Sequence, residues 1–131
     1  MEYKNTISLI LIGKDYNKDI FNRTYVLLKD NKLPSAELLY GQSESIESKV
    51  KLFVSECLKY NSDFLKTNLL DVEVVNKDGV ICDLLYSCVF GLMPKLNKIG
   101  TFYSISEIEE REILLDERTR RYIYRESSRI T

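Results

Sequence analysis

Residues 45–60 form the segment that most constrains how this chain folds. Their apolar side chains recur at offsets of 4, 7, 8, 11 and 12 residues, which places them on one side of an α-helix. These side chains are Ile46, Val50, Phe53, Val54, Cys57 and Leu58. Ser45 is a suitable N-cap, and Glu47 lies in the first turn, where the helix dipole favours a negative charge. The sequence therefore predicts an amphipathic helix over residues 45–60, ended by Asn61 and Ser62.

Short apolar and β-branched segments before and after this helix predict strands. They are residues 7–12, 23–29, 36–39, 69–75 and 80–90. Residues 76–79, Asn-Lys-Asp-Gly, have the composition of a hairpin loop and join the last two segments. The segment after this loop is nearly continuous in apolar residues, so we expect it to form a central strand of the sheet.

The charged segment at residues 106–124 predicts one further helix, with Ser106 as its cap. Its expected inward contacts are Ile108, Leu115, Tyr122 and Ile123. Strands before and after a helix predict an α/β fold. A chain of 131 residues suits one domain, because it can bury about two thirds of its unfolded surface.

Most of the arginines crowd the C-terminal part of the chain. They are Arg111, Arg118, Arg120, Arg121, Arg125 and Arg129. Such a cluster suits a phosphate, RNA or an acidic partner. The interleaved acids Asp116, Glu117 and Glu126 favour ion pairs within the helix instead, and this is the interpretation we prefer. Because the net charge is only −1, we expect no nucleic-acid partner.

The chain contains no histidine, and this absence excludes several kinds of catalytic site. Ser-His-Asp and Cys-His nucleophiles, histidine zinc sites and histidine acid-base catalysis all require the missing imidazole. Any catalysis must therefore rest on carboxylates, lysines, tyrosines or a metal held by oxygen ligands.

The cysteines and the hydrophobic runs indicate where the protein resides. Cys57, Cys82 and Cys88 form an odd set without CxxC spacing, so we expect buried, reduced thiols. No apolar run approaches the ~20 residues that a membrane span requires, and we expect no membrane association. The N-terminus lacks a basic region and a small-residue cleavage site. We therefore expect a cytoplasmic protein.

A second pattern lies over residues 36–63. Gly41 is followed by five residues and then Glu47, and Glu47 by seven residues and the pair Ser55-Glu56. This spacing resembles the Nudix box, the signature of hydrolases that cleave nucleoside diphosphates linked to another moiety. The glycine and both glutamates stand at the positions where that box has them.

Other positions of the box differ from the family pattern. Ser55 replaces its arginine, Lys59 and Tyr60 replace its pair of glutamates, Ser62 replaces its closing glycine and Asp63 its last aliphatic residue. The spacing of the motif is kept, whereas most of its acidic charge is lost.

The resemblance extends to both sides of the box. Residues 36–40 lie where the family commonly has Trp-Glu-Leu-Pro-Gly, residues 101–108 are similar to its late aromatic segment, and residues 115–118 to the start of its last helix. The resemblance therefore implies a Nudix-type α/β/α sandwich with a mixed sheet. It would form a single domain over residues 1–131, with the box at about 41–63.

The resemblance also implies a metal site. In an active box, carboxylates three and four residues apart on the helix hold Mg²⁺ or Mn²⁺ against a diphosphate, and the metal activates the attacking water. Here the corresponding face has Glu56, Lys59 and Tyr60, and the lysine repels a cation. Glu56 and Glu47 are the implied metal ligands, and the implied catalytic residues if the protein is active. The cofactor is then Mg²⁺ or Mn²⁺, and otherwise none.

The residues implied as ligand contacts are Gly41, Glu44, Lys59 and Tyr60. Lys59 suits a phosphate, and Tyr60 suits stacking or a donated hydrogen bond. Both are equally explained as solvent-facing residues, as Glu56 and Glu47 are by their helix positions. The late acids Glu107, Glu109 and Glu110 lie where some family members have a further ligand or base, although a solvated helix face explains them as well.

Three functions follow from these residues. The leading hypothesis is a Nudix-like domain with a degenerate box that binds a nucleotide or nucleoside-diphosphate derivative with weak or no hydrolysis. The first alternative is an active metal-dependent pyrophosphohydrolase that uses Glu47, Glu56 and an acid from elsewhere in the chain. The second is a non-enzymatic module that binds a protein partner.

Overall fold

The computed structural model describes residues 3–19, 22–38, 45–59, 65–76, 78–90 and 99–130. In chain order its elements are β1 (Tyr3–Lys14), β2 (Thr24–Leu28), β3 (Ser35–Leu38), α1 (Ile46–Cys57), β4 (Asn68–Asn76), β5 (Val80–Val89), β6 (Thr101–Ser104), α2 (Ile105–Glu110) and α3 (Glu117–Ile130). The predicted strands and the predicted box helix are confirmed. No helix in these ranges is both long enough and apolar enough to span a membrane.

The six strands form one mixed sheet in the order β4-β5-β1-β2-β6, and β3 also pairs with β1, at Asn5–Ser8. β1 and β5 are parallel over ten residue pairs, from Tyr3 opposite Val80 to Ile12 opposite Val89. The other pairings are antiparallel. The expectation that residues 80–90 form a central strand is confirmed, because β5 lies between β4 and β1.

A tight loop separates β2 from β3, although both strands pair with β1. Ile12 lies opposite Val26 and Ser8 lies opposite Ser35. The segment from β2 to β3 therefore contains five residues more than the stretch of β1 with which it pairs. These extra residues form a hairpin in which the Lys29 N–H donates to the Lys32 carbonyl at 2.7 Å. The two residues at its tip have positive φ angles of 50° and 61°, as a type I′ turn requires.

Each face of the sheet carries its own apolar core. The α1-side core consists of Ile7, Leu9, Leu11, Leu27, Val50, Val54, Cys57, Leu58, Leu65, Tyr86, Cys88 and Phe90. The α3-side core consists of Ile10, Ile12, Val26, Leu28, Leu85, Ile108 and Ile123. Alternate residues of β1 belong to opposite cores, because successive side chains of a strand point to opposite faces. The expected α/β/α sandwich is therefore confirmed.

The box helix begins as predicted but ends earlier. The Ser45 hydroxyl accepts a hydrogen bond from the Ser48 N–H at 3.1 Å, which confirms the cap. The helix was expected to reach residue 60, yet it ends at Cys57, and Leu58 has extended φ and ψ angles of −126° and 150°. Leu58 is fully buried in the α1-side core, and its burial favours this exit from the helix. Asn61 and Ser62 lie outside the described residues.

The late helix is two helices, which corrects the prediction of a single one over residues 106–124. Ser104 caps α2, not Ser106: its hydroxyl accepts from the Glu107 N–H at 3.1 Å, and the Glu107 carboxylate accepts from the Ser104 N–H at 3.1 Å. This reciprocal pair is a capping box. The start of α3 follows Asp116, whose carboxylate accepts from the Thr119 N–H at 2.7 Å.

A left-handed residue ends α2. Glu112 has a φ of 52°, its N–H donates to the Glu109 carbonyl at 3.2 Å, and the Ile113 N–H donates to the Ile108 carbonyl at 3.1 Å. These two bonds form a Schellman motif, which usually has glycine at the left-handed position. Ile108 and Ile113 both pack on the α3-side core, as the motif favours. Because this segment contains neither glycine nor proline, no local sequence signal marks the end of the helix.

The expected inward contacts of the late segment are all found. Ile108 and Ile123 are buried in the α3-side core, and Leu115 and Tyr122 pack against it.

The three cysteines are free thiols, as expected. Burial raises the pKa of Cys88 to about 11. Burial, with the charge of Glu56, raises the pKa of Cys57 to about 11, although Lys29 acts in the opposite direction. Cys82 is only half-buried, so the expectation of burial holds for two of the three. A thiol with a raised pKa is a weak nucleophile at neutral pH, so Cys57 and Cys88 serve as small apolar core residues.

Two glycine substitutions near the break between α2 and α3 should change the free energy of unfolding differently. Glu112→Gly removes the strain of a residue with a side chain at a left-handed φ, and it should leave stability unchanged or raise it by about 0.5–1 kcal/mol. Glu110→Gly lies within α2 and should lower stability by about 1 kcal/mol. Urea unfolding of the two variants measures the difference. A continuous helix through residue 112 would make Glu112→Gly as destabilising as its control.

Candidate functional site

The structure places three of the predicted site residues on or near α1. Glu47 is in the first turn, Glu56 is in the last turn, and Lys59 lies two residues beyond the end of the helix. All three side chains are exposed. Gly41, Glu44 and Tyr60, the other predicted contacts, lie outside the described residues.

Glu47 and Glu56 lie on opposite sides of α1. A helix turns about 100° and rises about 1.5 Å per residue, so their nine-residue spacing rotates the side chains by half a turn and separates them by about 13 Å along the axis. One ion cannot contact both carboxylates. The separation follows from the spacing alone, and it means that the two implied roles must be considered one residue at a time.

The N-terminal end of α1 faces a buried tyrosine. Burial raises the pKa of Tyr86, and the negative charge of Glu47 raises it further. Tyr86 belongs to the α1-side core and lies opposite Leu69 on β4, whose side chain is 52% exposed. Among the described residues, the Glu47 carboxylate at this end of α1 therefore lies near an apolar, partly exposed surface.

Among the described residues, two lysines and one glutamate lie near the C-terminal end of α1. Lys59 lies two residues beyond the end of the helix, and Lys29 of the β2–β3 loop is close enough for its charge to lower the pKa of Cys57. Glu56 is the acid of the last helical turn. The carbonyl end of a helix carries partial negative charge, which these two lysines offset.

These donors do not fit a divalent cation. Mg²⁺ is usually held by one or two carboxylates together with waters and substrate phosphates. The charge of Lys29 acts on Cys57, the residue after Glu56, Lys59 lies three residues after Glu56, and Glu47 lies on the other side of the helix. Within the described ranges, no three acidic or cysteine side chains converge as a possible metal site. Residues 60–64 lie outside these ranges.

The late acids Glu107, Glu109 and Glu110 lie on α2, which packs on the face of the sheet opposite α1. The sheet separates them from Glu47 and Glu56. Glu107 completes the cap of α2, and Glu109 accepts a hydrogen bond from the Tyr124 hydroxyl at 2.6 Å. Glu107 and Glu109 therefore have structural contacts of their own.

A polar cluster that the sequence did not reveal lies on the α3 face of the sheet. The Arg118 guanidinium donates to Asp71 at 2.7 Å and to Asp83 at 2.6 Å, and it lies 3.5 Å from Glu73. Asp83 also accepts hydrogen bonds from the hydroxyls of Thr6 at 2.5 Å and of Ser8 at 3.0 Å. The cluster joins α3 to β4, β5 and β1, and it borders a pocket of about 410 Å³.

The charges of this cluster satisfy one another. Burial lowers the pKa of Arg118, but its hydrogen bonds to Asp71 and Asp83 outweigh burial and raise it. The hydrogen bond from Arg118 lowers the pKa of Asp71. Because carboxylates engage the Arg118 guanidinium, the cluster attaches α3 to the sheet.

The preferred interpretation of the C-terminal arginines, ion pairs within the helical segment, is confirmed for two of them and is wrong for Arg118. Arg111 pairs with Glu107 at 3.7 Å, and Arg129 pairs with Glu126 at 2.7 Å. In both pairs the partner lies one helical turn away, as expected. Arg118 instead pairs with strands that are 35 and 47 residues away in the chain. A sequence pattern that considers only neighbours along a helix does not register partners at this distance.

Removing the Arg118 charge should destabilise the fold. In Arg118→Met, the half-buried carboxylates of Asp71 and Asp83 lose their partner, and we expect a loss of about 2–4 kcal/mol in urea unfolding. Arg125→Met, a matched change at an exposed arginine of the same helix, should cost less than about 0.5 kcal/mol. Equal losses in both variants would contradict the proposed attachment of α3.

The same contact has a pH signature. The pKa of Asp71 is lowered from 3.8. The stability that the ionised Asp71 carboxylate contributes is therefore complete above pH 3.8, and it is lost as the pH falls below that value. The stability of the wild type should therefore fall more steeply below this pH than that of Arg118→Met.

The fold has relatives among solved structures, although no protein-family model and no curated sequence matches the chain. The NUDIX domain of Shewanella oneidensis NrtR, solved with ADP ribose, has a TM-score of 0.69 at 13% identity over 100% of this chain and 90% of that one. A putative Nudix hydrolase from Listeria monocytogenes has a TM-score of 0.62 at 14% identity, over 95% and 92%. The C-terminal domain of mouse MUTYH, solved with human PCNA, has 0.65 at 8%, over 98% and 90%.

These similarities show that the chain has a Nudix-type fold. They extend over nearly the whole chain, and the six-stranded mixed sheet between helices agrees with them. At identities of 13–14% for the two Nudix structures, they establish the fold and not the activity.

Proposed function

We propose that this protein is a Nudix-fold domain that binds a nucleotide or a nucleoside-diphosphate derivative beside α1, with weak or no hydrolysis. The observation that carries the proposal is the similarity to the NrtR domain, whose structure contains ADP ribose and whose fold matches the whole of this chain. A shared fold alone does not fix a ligand, so the charges around α1 supply the second part of the argument.

The C-terminal end of α1 suits a diphosphate. Lys59 and Lys29 bring two positive charges to this end, and a lysine ammonium is a compact charge that pairs well with phosphate oxygens. Together with the negative charge of Glu56, these two lysines still give a net positive charge. Gly41, Glu44 and Tyr60 complete the proposed ligand contacts.

The N-terminal end of α1 suits the sugar and base. The carboxylate of Glu47 is an acceptor for ribose hydroxyls, and the neighbouring Leu69 offers a partly exposed apolar surface to a base. The ligand would then lie along α1, whose twelve residues span about 18 Å.

Weak or absent hydrolysis follows from the arrangement of the same charges. A metal-assisted attack needs a cation that polarises the phosphoryl oxygen and activates water. The two lysines oppose such a cation at Glu56, and Glu47 is too far along the helix to help. Lysines that bind phosphate without a metal leave the water unactivated, which favours binding over turnover.

The proposal predicts that ADP ribose or another nucleoside-diphosphate derivative raises the melting temperature. A ligand at 100 times its Kd adds about 2.7 kcal/mol to the stability. Lys59→Gln should weaken binding about 10-fold or more, because it removes a charge-assisted contact to phosphate. Lys4→Gln, an exposed lysine at the N-terminal end of β1, is the matched control and should leave the Kd unchanged. Calorimetric titration measures both.

Incubation with the same compounds and Mg²⁺ or Mn²⁺ separates the alternatives. We expect no more than slow product formation, and Glu56→Gln should bind the ligand as the wild type does. Rapid turnover that Glu56→Gln abolishes would support the pyrophosphohydrolase instead. If no nucleotide derivative shifts the melting temperature, with or without metal, the ligand proposal is wrong and the protein-interaction module is left.

A further inference from the structure

The pocket beside the polar cluster of Arg118 has the size of a small-molecule site. Its volume of about 410 Å³ lies within the range of about 300–1,000 Å³ that ligand pockets have. Its lining comes from β1, β3, β4 and β5, from the β2–β3 loop and from residues 114–119. Thr6 and Ser8 of this lining alternate along β1 with Ile7, which belongs to the α1-side core. The pocket therefore lies on the face of the sheet opposite α1 and is separate from the proposed nucleotide site.

The two hydroxyls of β1 can only accept hydrogen bonds from a ligand in this pocket. Thr6 and Ser8 donate to the same oxygen of Asp83, at 2.5 Å and 3.0 Å. An ionised carboxylate only accepts, and a hydroxyl has one proton and two lone pairs. The protons of both hydroxyls are therefore used, whereas their oxygens can still accept. This part of the pocket suits the N–H or O–H groups of a ligand.

The charged side chains of the lining favour a cation. Glu73, Asp83 and Asp116 bring three negative charges, and Lys32 and Arg118 bring two positive charges. An anionic ligand is therefore disfavoured, and a neutral polyol would leave the excess negative charge without a partner. Among the described residues, the charged groups that pair with the lining, follow or precede it in the chain or adjoin Arg118 are also more often acidic. The acids are Asp30, Glu37, Asp71 and Glu117, and the bases are Lys4, Arg120 and Arg121.

Apolar side chains provide the rest of the contact surface. They are Leu33 of the β2–β3 loop, Ile81 of β5, and Leu114 and Leu115 before α3. An aliphatic chain can contact these side chains while its charged end meets the oxygens of Thr6, Ser8 and the carboxylates. Ligand pockets usually combine apolar contacts with a few polar groups that fix orientation in this way.

We propose that this pocket binds a small aliphatic primary amine in its protonated form. An ammonium group has three N–H donors and no acceptor, so it matches a lining that offers acceptors and an excess of negative charge. The lining belongs both to the sheet and to the start of α3, and a bound amine therefore adds a contact between them. It acts in the same direction as Arg118, which attaches α3 to the sheet.

Amide chemical shifts during a titration with n-pentylamine at constant ionic strength test the proposal. At neutral pH this amine is protonated, as a lysine side chain is. We expect saturable shifts at Thr6, Ser8, Asp83 and Thr119, with a Kd of about 1 mM or lower. The compounds 1-pentanol and pentanoate have the same chain with a neutral or a negative end, and they should bind at least about 10-fold more weakly. Equal binding of the amine and the alcohol, or amine shifts that do not saturate, would overturn the proposal.

Two variants test the polar contacts. Ser8→Ala removes one acceptor and leaves Asp83 its bonds to Thr6 and Arg118, so the fold is kept and the Kd should rise about 5-fold. Asp116→Asn removes a charge but keeps the cap of α3, because asparagine also accepts from the Thr119 N–H, and the Kd should rise about 3-fold.

Glu110→Gln is the matched control, because it removes an equal charge from α2 outside the lining, and it should leave the Kd unchanged. Melting temperatures without the amine show that each variant is folded. If neither Ser8→Ala nor Asp116→Asn raises the Kd, the amine binds elsewhere and the proposed site is wrong.

Discussion

The parallel pairing of β1 with β5 is the interaction on which the rest of the structure depends. Ten residue pairs join strands that are 77 positions apart in the chain, and the central residues of β1 are buried on both faces of the sheet. Parallel strands require a crossing connection, and here that connection includes α1 and β4. The pairing therefore fixes the position of α1 on one face, and the other face of the same strands receives α2 and α3.

The charged groups follow from this arrangement on both faces. On the α3 face, Asp83 of β5 meets the hydroxyls of β1 and the guanidinium of Arg118, so a polar cluster replaces the apolar core at this end of the sheet. On the α1 face, the β2–β3 loop brings Lys29 to the end of the box helix. One of the two lysines of the proposed phosphate contact thus comes from a loop that is distant from the motif in the sequence.

The sequence predicted those elements whose signals are local. The helical stripe and Ser45 located α1, the apolar runs located the strands, and the spacing of Gly41, Glu47 and Glu56 led to the correct fold. Prediction from the sequence failed where a helix end depends on tertiary packing or on an unusual backbone conformation. Leu58 leaves the helix because it is buried, and Glu112 ends α2 in a conformation that glycine normally adopts. The partners of Arg118 became visible only once the sheet was in place.

The candidate site was predictable only in part for a related reason. The motif located the acids on one helix, and the helical period could have shown that Glu47 and Glu56 face opposite ways. The role of Lys29 required the three-dimensional fold.

Backbone amide chemical shifts during a titration with ADP ribose show whether the ligand lies along α1. We expect the largest shifts at residues 57–59, at Lys29 and around Glu47, with small changes at Thr6, Asp83 and Arg118. Shifts concentrated around Arg118, with α1 unchanged, would contradict it.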